Sequence, residues 1–503
     1  MPAAERLRPI LVGALIAGCL LLASRGLSVG YSYWADELFS VAASQDSWHG
    51  MVTNWLLPDT HPPLYLVMLK LWMGFMGSGE TATRCLSFLA AALTLVAAAL
   101  LTRGRSLIRQ VVVVAFIGCS SAFAFYGQEA RNYALVLLLS SVLTGVTLQL
   151  RNPVKLTSGA SQQRFLRPVF YASAILLSLT HYFAWLFVFI LAVVALVEAR
   201  IDRLRSRVVL LMLAISIWPP IHWLASRGSG KRDNISWIDV QPIKGIFEVM
   251  MRGVFDVFPS PSRNFFAGLA ILALVLILAF VSRRRPMPSV GGSDRNTFRS
   301  QAGAEILFLL SLLALFVGIV GSIDLILPIS TPRNFIVALP AMAFLVGNGA
   351  EISSTWGVRS YLPAALVLSL ILSNQLQRTE ERMTRKLFPL MNYKGLADFL
   401  GHEGICARGC RYQGGPRLDA SRIYFGRFSL SDETGAHRQP ASQAKTPLIM
   451  VRPAGVSPLE VLERNPGYSC WEPVQSYPNS VVIFLPPGSP AKPSGKGMRA
   501  CGS

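Results

Sequence analysis

Long apolar runs separated by short polar stretches govern the chain from residue 10 to residue 376. A helix needs about 20 mostly apolar residues to cross a bilayer. The pattern predicts spans at Ile10–Ser28, Thr83–Leu101, Val111–Phe125, Asn132–Leu150, Val169–Thr180, Phe183–Val197, Val208–Leu224, Phe265–Val281, Ala304–Ile323, Phe335–Ala350 and Ser360–Leu376. One further apolar stretch, Leu64–Met76, is interrupted by Lys70 and carries Tyr65 and Trp72. It reads as an interfacial helix, started by Pro62 and Pro63 and ended near Gly77–Gly79. Residues 377–503 lack such runs. The expected organisation is a membrane domain, 1–376, followed by a small soluble domain, 377–503.

The connections between runs fix an expected orientation. With the N-terminus in the cytoplasm, the cytoplasmic segments hold Arg6 and Arg8; Arg103, Arg105 and Arg109; Arg151, Lys155, Arg164 and Arg167; Arg200, Arg203, Arg205 and Arg207; Arg283, Arg284, Arg285, Arg295 and Arg299; and Arg359. The short outer turns, Tyr126–Arg131 and Asp324–Asn334, hold only Arg131 and Arg333. This alternation obeys the positive-inside rule. Eleven spans then put the C-terminal domain outside the cytoplasm. The first run also contains Ile16-Ala17-Gly18-Cys19, which looks like a lipoprotein cleavage box. The ten runs that follow and the loop charges favour a span there.

Composition agrees with the pattern. Apolar residues make up 52% of the chain and charged ones only 15%, and mean hydropathy is +0.45. Soluble domains carry roughly 25% charge, so an ordinary soluble enzyme and a disordered chain are both excluded. The net charge of +20 would suggest nucleic acid on a soluble protein. Here most of the excess lies in loops between spans, and no nucleic-acid partner is expected.

Ionisable groups inside lipid are costly, so their placement is informative. Acidic residues avoid the span centres. Asp36 and Glu37 follow the first span, Glu129 the third and Asp324 the ninth, all on the outer side. Glu198, Asp202 and Glu351 fall on the inner side and read as loop solvation. The outer segments also hold Pro58-Asp59-Thr60-His61-Pro62-Pro63-Leu64-Tyr65, Tyr126-Gly127-Gln128-Glu129-Ala130-Arg131-Asn132-Tyr133, Thr180-His181-Tyr182 and Thr331-Pro332-Arg333-Asn334. Carboxylates, histidines and arginines thus collect at one depth, the outer membrane surface.

Together these stretches resemble the GT-C membrane glycosyltransferases, in the branch of protein O-mannosyltransferases, the aminoarabinose transferase of lipid A and bacterial family-39-like enzymes. The resemblance rests on Asp36-Glu37, His61-Pro62-Pro63-Leu64-Tyr65, Leu71-Trp72, Gly77, Arg84-Cys85-Leu86-Ser87, Gln128 to Tyr133, Thr180-His181-Tyr182 and Arg333. It covers roughly residues 31–340. It implies a GT-C fold: an α-helical polytopic membrane protein of about 11 spans plus interfacial helices, followed by a small α/β domain.

The resemblance also implies an activity. Such enzymes take a sugar from a polyprenyl-phosphate carrier at the outer face and pass it to a lipid, glycan or protein acceptor, usually with inversion. Phosphate is a good leaving group, so the chemistry needs a base for the acceptor and cations for the developing phosphate charge. By resemblance Asp36 is the base. Glu37 is either a second carboxylate or a structural partner. Glu129 is a second site carboxylate, or a local partner of Arg131. Arg131 and Arg333 are candidates for the carrier phosphate, because guanidinium matches its oxygens; snorkelling to the interface is the plainer alternative. His61 either binds the phosphate or shapes its loop, His181 either lines the pocket or packs as a satisfied core histidine, and Tyr182 joins them as a donor-site candidate. Relatives often have a lysine beside the histidine of the His-Pro-Pro segment, and this chain has none there.

The chain has no Asp-x-Asp and no zinc-like Cys/His spacing. A divalent metal held by Asp36 and Glu129 is left open. The segment Ala225–Asn264 is a long outer loop that reads as a lid or a linker. Residues 377–503 hold seventeen Lys/Arg and ten Asp/Glu. A helix is expected at Tyr393–Leu400 and strands at Ile423–Phe428, Pro447–Val451 and Ser480–Leu485, before a Pro/Gly/Ser-rich tail. Four of the seven cysteines lie here, Cys406, Cys410, Cys470 and Cys501, and allow three disulfide pairings. Cys19, Cys85 and Cys119 fall in spans and read as packing residues.

Two rival classes share some of these features. A lipid or glycan transporter would also have many spans, but would favour carboxylates near the midplane and inverted repeats. A non-catalytic scaffold of a glycosylation complex would have no need for Asp36. The expected location is a bacterial inner membrane, crossed many times.

Overall fold

The computed structural model describes residues 3–25, 32–59, 61–151, 159–197, 205–225, 293–354 and 393–402, with strands and isolated positions up to residue 500. The expected spans at 265–281 and 360–376, most of the loop at 225–264, and Glu198, Asp202 and Cys501 lie outside the described residues. The chain divides into two units: residues 1–28, 52–68 and 84–383, and residues 29–51, 69–83 and 384–503.

The first unit is helical. It contains α1 (Ala3–Ser24), most of α5 (Glu80–Thr102), α6 (Leu107–Gly118), α7 (Ser121–Tyr126), α8 (Tyr133–Arg151), α9 (Gly159–Ser178), α10 (Tyr182–Val197), α11 (Arg205–Ile215), α12 (Trp218–Ala225), α13 (Ser293–Asp324) and α14 (Leu339–Ser354). A 3-10 turn, Pro332–Ala338, leads into α14. Among the described residues five helical stretches are long and apolar enough to cross a membrane: 7–24, 80–102, 133–151, 301–324 and 332–353. Shorter apolar helices accompany them. The chain is therefore an integral membrane protein.

Two expected spans are each broken into two helices. Within 111–125, α6 stops at Gly118 and Ser120 caps α7 by accepting from Phe123 N at 3.1 Å. A serine that can cap its own downstream turn competes with helix continuation. Within 208–224 the break falls at Ser216-Ile217, and Pro219 and Pro220 occupy the first turn of α12. Proline suits a first turn and breaks an interior.

Helix α6 packs on α1 and α14, α8 on α9, and α13 on α14. Where α6 meets α14, a Cβ added at Gly347 would meet Val113 Cγ2 at 2.6 Å, so glycine sets that approach. The same region holds a buried ionic cluster. Arg105 pairs with Glu351 at 2.9 Å and Glu305 at 3.3 Å; Arg109 pairs with Glu305 at 2.9 Å and Glu351 at 3.4 Å. All four side chains are buried. Ser106 N adds a bond to Glu351 at 3.0 Å, and Arg8 reaches Gln110 Oε1 at 2.7 Å and Arg105 O at 2.9 Å. The reading of Glu351 as loop solvation is thereby corrected. It lies in α14, and its charge is neutralised by arginines that the loop pattern counts as solvated.

The second unit carries α2 (Ala35–Gln45), the short helix α3 (Trp48–Gly50), the C-terminal part of α4 (Leu64–Met76), α15 (Tyr393–His402) and one mixed sheet. Gly77, at φ +84, ends α4 in the left-handed conformation that glycine adopts without a Cβ penalty, and its N–H bonds Met73 O at 3.0 Å. The strands are β1 (Cys410–Gln413), β2 (Leu430–Asp432), β3 (Leu448–Val451), β4 (Ser469–Pro473), β5 (Val481–Leu485) and β6 (Met498–Ala500). Their order is β2-β1-β3-β5-β4-β6. β1 runs parallel to β2 and β3, and the β3–β5, β5–β4 and β4–β6 pairs are antiparallel. A disulfide joins Cys406 to Cys410 at the start of β1, one of the pairings open from sequence.

Candidate functional site

In the second unit, Asp36 and Glu37 occupy the first turn of α2. Carboxylates there are favoured by the exposed N–H groups and the helix dipole. The two differ in use. Glu37 is fully buried, and its Oε2 accepts from Trp34 N at 3.3 Å, capping the helix. Asp36 is half-buried, one residue earlier on the helix surface.

The chain entering α2 is pinned from several sides within this unit. Tyr33 is buried; its hydroxyl bonds Thr83 Oγ1 at 2.8 Å and Ser78 O at 3.0 Å. Tyr33 N donates to the Tyr424 hydroxyl at 2.9 Å, and that hydroxyl donates to Glu80 Oε1 at 3.0 Å. Lys394 pairs with Glu80 at 3.4 Å, and Lys394 N donates to Ser32 Oγ at 3.3 Å. Burial pushes the Tyr424 phenol up, so it stays a neutral donor at ordinary pH. Tyr424, 391 positions downstream of Tyr33, thus holds the backbone three residues before Asp36. At the other end of α2, Lys70 Nζ bonds the carbonyls of Ser44 and Asp46 and lies 5.1 Å from the Trp48 ring centroid.

The first unit gathers a second group of residues. The His-Pro-Pro loop meets the turn between α9 and α10: Leu64 N donates to Leu179 O at 2.9 Å, and the His61 and His181 rings lie edge to face at 5.1 Å. The turn before α8 joins them. Asn132 Nδ2 donates to Thr180 O at 2.7 Å, and Ser87 Oγ, near the start of α5, donates to Arg131 O at 3.2 Å. Tyr65 shares a hydrogen bond with Ser87 at 3.2 Å. The Arg131 guanidinium lies 6.0 Å from the Tyr133 ring centroid, and Tyr133 packs on His181 and Tyr126. Glu129 is buried in the same turn.

His181 reports the local field. Its Nδ1 accepts from Phe183 N at 3.1 Å, which leaves the proton on Nε2. Burial, then the nearby charges of His61, Arg131 and Arg333, holds its pKa well below the usual histidine value. His181 is therefore a neutral donor in an electropositive setting. Arg333, in the 3-10 turn before α14, belongs to that setting. His61 in turn bonds Asp59 at 3.2 Å.

Tyr182, the first residue of α10, hydrogen-bonds His222 Nδ1 of α12, and His222 Nε2 bonds Leu56 O at 3.0 Å. Since Leu56 O can only accept, His222 carries its proton on Nε2 and accepts from the Tyr182 hydroxyl on Nδ1. Trp218 covers the imidazole at 5.3 Å between ring centroids. Sequence reasoning passes over His222. Its signal was a lone histidine after Pro219-Pro220 inside an apolar run, a pattern equally at home in a core.

The first unit thus brings together His61, Glu129, Arg131, His181, Tyr182 and Arg333 on the 61–65, 128–133, 180–183 and 331–334 segments. Asp36 and Glu37 stand on the second unit. Among the described residues no three His, Cys, Asp or Glu side chains assemble as a ligand set.

Solved structures of GT-C membrane proteins are similar along nearly the whole chain. ArnT from Cupriavidus metallidurans bound to undecaprenyl phosphate matches at 14% identity and a TM-score of 0.55, over 96% of this chain and 99% of that one. The same enzyme in the apo state matches at 12% identity and 0.45, over 94% and 97%. The Archaeoglobus fulgidus oligosaccharyltransferase in complex with Zn and sulfate matches at 10% and 0.47, over 94% and 73%. No family model and no curated protein matches the sequence. The bound-state likeness shows that this chain has the GT-C fold.

Proposed function

We propose that the protein is an inverting glycosyltransferase that moves a sugar from a polyprenyl-phosphate carrier to an acceptor at the outer face of a bacterial inner membrane. The observation that carries this reading is the electropositive cluster of Arg131, Arg333, His61 and neutral His181, walled by Tyr133 and Phe183. A lipid-linked phosphate needs cations and donors, and this cluster of arginines and histidines supports that role. The similar ArnT structure contains undecaprenyl phosphate, a carrier of the same class.

In the proposed reaction the acceptor oxygen attacks the anomeric carbon from the face opposite the phosphate. The carbon–oxygen bond to phosphate breaks, and its electron pair passes to the phosphate oxygen. Asp36 takes the acceptor proton. Arg131 and Arg333 offset the new phosphate charge, and His181 Nε2–H donates to it. Glu37 holds the helix that presents Asp36, and Glu129 orients the acceptor. The acceptor is a lipid, a glycan or a protein. The domain beyond residue 376 stands outside the cytoplasm in this reading.

The test is turnover in nanodiscs with a panel of polyprenyl-phosphate sugars and lipid, glycan and peptide acceptors, following release of polyprenyl phosphate. Release by the wild type and none by Asp36→Asn supports the reading and identifies the donor. Equal release by both proteins overturns the assignment of the base. Movement of the lipid across the bilayer without bond cleavage overturns the enzyme in favour of a transporter.

A further inference from the structure

Two cysteines that the sequence pattern treats as independent packing residues meet inside the first unit. Cys19 lies on α1 and is 2% exposed; Cys119 lies at the corner where α6 ends and α7 begins and is partly exposed. Their sulfurs are 3.9 Å apart. The approach is built into the backbone. A Cβ placed at Gly118 would fall 2.6 Å from Cys19 Sγ and 2.9 Å from Cys19 Cβ, so only glycine lets α1 come this close. Cys119 N bonds Ala115 O at 2.9 Å, and Ser120 caps the next helix, which holds the corner in place. Cys85, a further free cysteine, takes no part in this contact.

We propose that Cys19 and Cys119 are a redox pair that closes to a disulfide tying α1 to the α6–α7 corner. A disulfide needs sulfurs about 2.05 Å apart, so closing the pair brings the two sulfurs together from 3.9 Å. The oxidant is the disulfide of a dithiol oxidoreductase. The partly exposed Cys119 thiolate attacks one sulfur of that disulfide and releases a thiolate. The buried Cys19 thiolate then attacks the Cys119 sulfur of the mixed disulfide and releases the second thiolate. The pair loses two protons and two electrons, and the oxidant takes up both. The closed loop spans 100 residues, and a cross-link of that length restricts the unfolded chain strongly. The bond is a brace on the N-terminal helix, 17 residues before Asp36 along the chain, and the exchange makes it reversible.

The experiment uses the full-length protein in nanodiscs. It is treated with diamide, which oxidises dithiols directly, then alkylated, digested without reduction and mapped by mass spectrometry. The expected result is one cross-linked pair containing Cys19 and Cys119, absent after dithiothreitol and absent from Cys19→Ser and Cys119→Ser. Melting of the oxidised wild type should occur several degrees above the reduced form, with no such shift in the double serine variant. Alkylation of both thiols after diamide, or a cross-link of either to Cys85 instead, overturns the pair. An unchanged melting temperature on oxidation overturns the brace. Donor turnover is not a readout here, so failure of the glycosyltransferase reading leaves this result standing.

Discussion

His61 and His181 lie edge to face with ring centroids 5.1 Å apart, although 120 residues separate them. Two imidazoles this close cannot both be charged cheaply, and Arg131 and Arg333 add to the field that keeps His181 neutral. The consequence for stability has a definite sign. The folded-state pKa of His181 is lowered by burial and then by its neighbours, so the unfolded chain takes up a proton first as pH falls. Stability is unaffected above the ordinary histidine pKa of about 6.5 and declines as pH drops below it. His181→Asn should flatten that decline. Melting temperature between pH 7.5 and 5.5, wild type against variant, checks it; identical slopes would count against the neutral imidazole.

The two proposed phosphate arginines should separate binding from charge. Arg131→Lys keeps the charge and loses the planar fork, so KM for the donor should rise roughly 10-fold or more, as loss of a charge-assisted hydrogen bond would give. Arg333→Ala should raise it similarly and lower kcat as well, because the charge it offsets grows in the transition state. Steady-state kinetics with a synthetic polyprenyl-phosphate sugar distinguish the two patterns.

Removing the proposed base should cost more than either. Asp36→Asn should reduce kcat by about 100-fold to 10,000-fold, the usual contribution of a general base, with melting temperature nearly unchanged because Asp36 is only half-buried. Glu37→Gln should act differently. Glu37 caps α2 from a fully buried position, so its loss should lower the melting temperature together with activity.

Tyr182 and His222 should behave as one unit. Tyr182→Phe removes the donor and His222→Phe the acceptor of the same hydrogen bond. The double variant should be less impaired than the sum of the singles, with a coupling of about 1 kcal/mol or more in a cycle on kcat/KM. Additive effects would show that His222 acts only through packing.

The buried ionic cluster makes a prediction about stability alone. Glu351→Ala leaves Arg105 and Arg109 with one carboxylate partner fewer in a buried site, and breaking such a pair costs about 3–5 kcal/mol. Thermal melting in nanodiscs should show a large drop, whereas donor KM measured below the transition should not move.

The sequence by itself determined that the chain is a membrane protein, and which polar segments fall at the ends of its apolar runs. Apolar runs near 20 residues have few alternatives to a span, because an unpaired backbone in lipid is prohibitive. Polar residues that must avoid lipid collect at span ends, so His61, Glu129, Arg131, His181, Tyr182 and Arg333 could be picked out one by one. Tertiary structure decided what each of them touches. Contacts between His61 and His181, Tyr182 and His222, or Cys19 and Cys119 join positions 40 to 120 residues apart, and no local pattern encodes such distances. It also decided where short-range signals compete. Ser120 stops one expected span because a capping hydroxyl outweighs a continued apolar run, and Glu351 is buried because two arginines from another segment meet it there. Patterning reads the solvent each residue prefers; pairing depends on which helices come within reach, and that is a property of the packed chain.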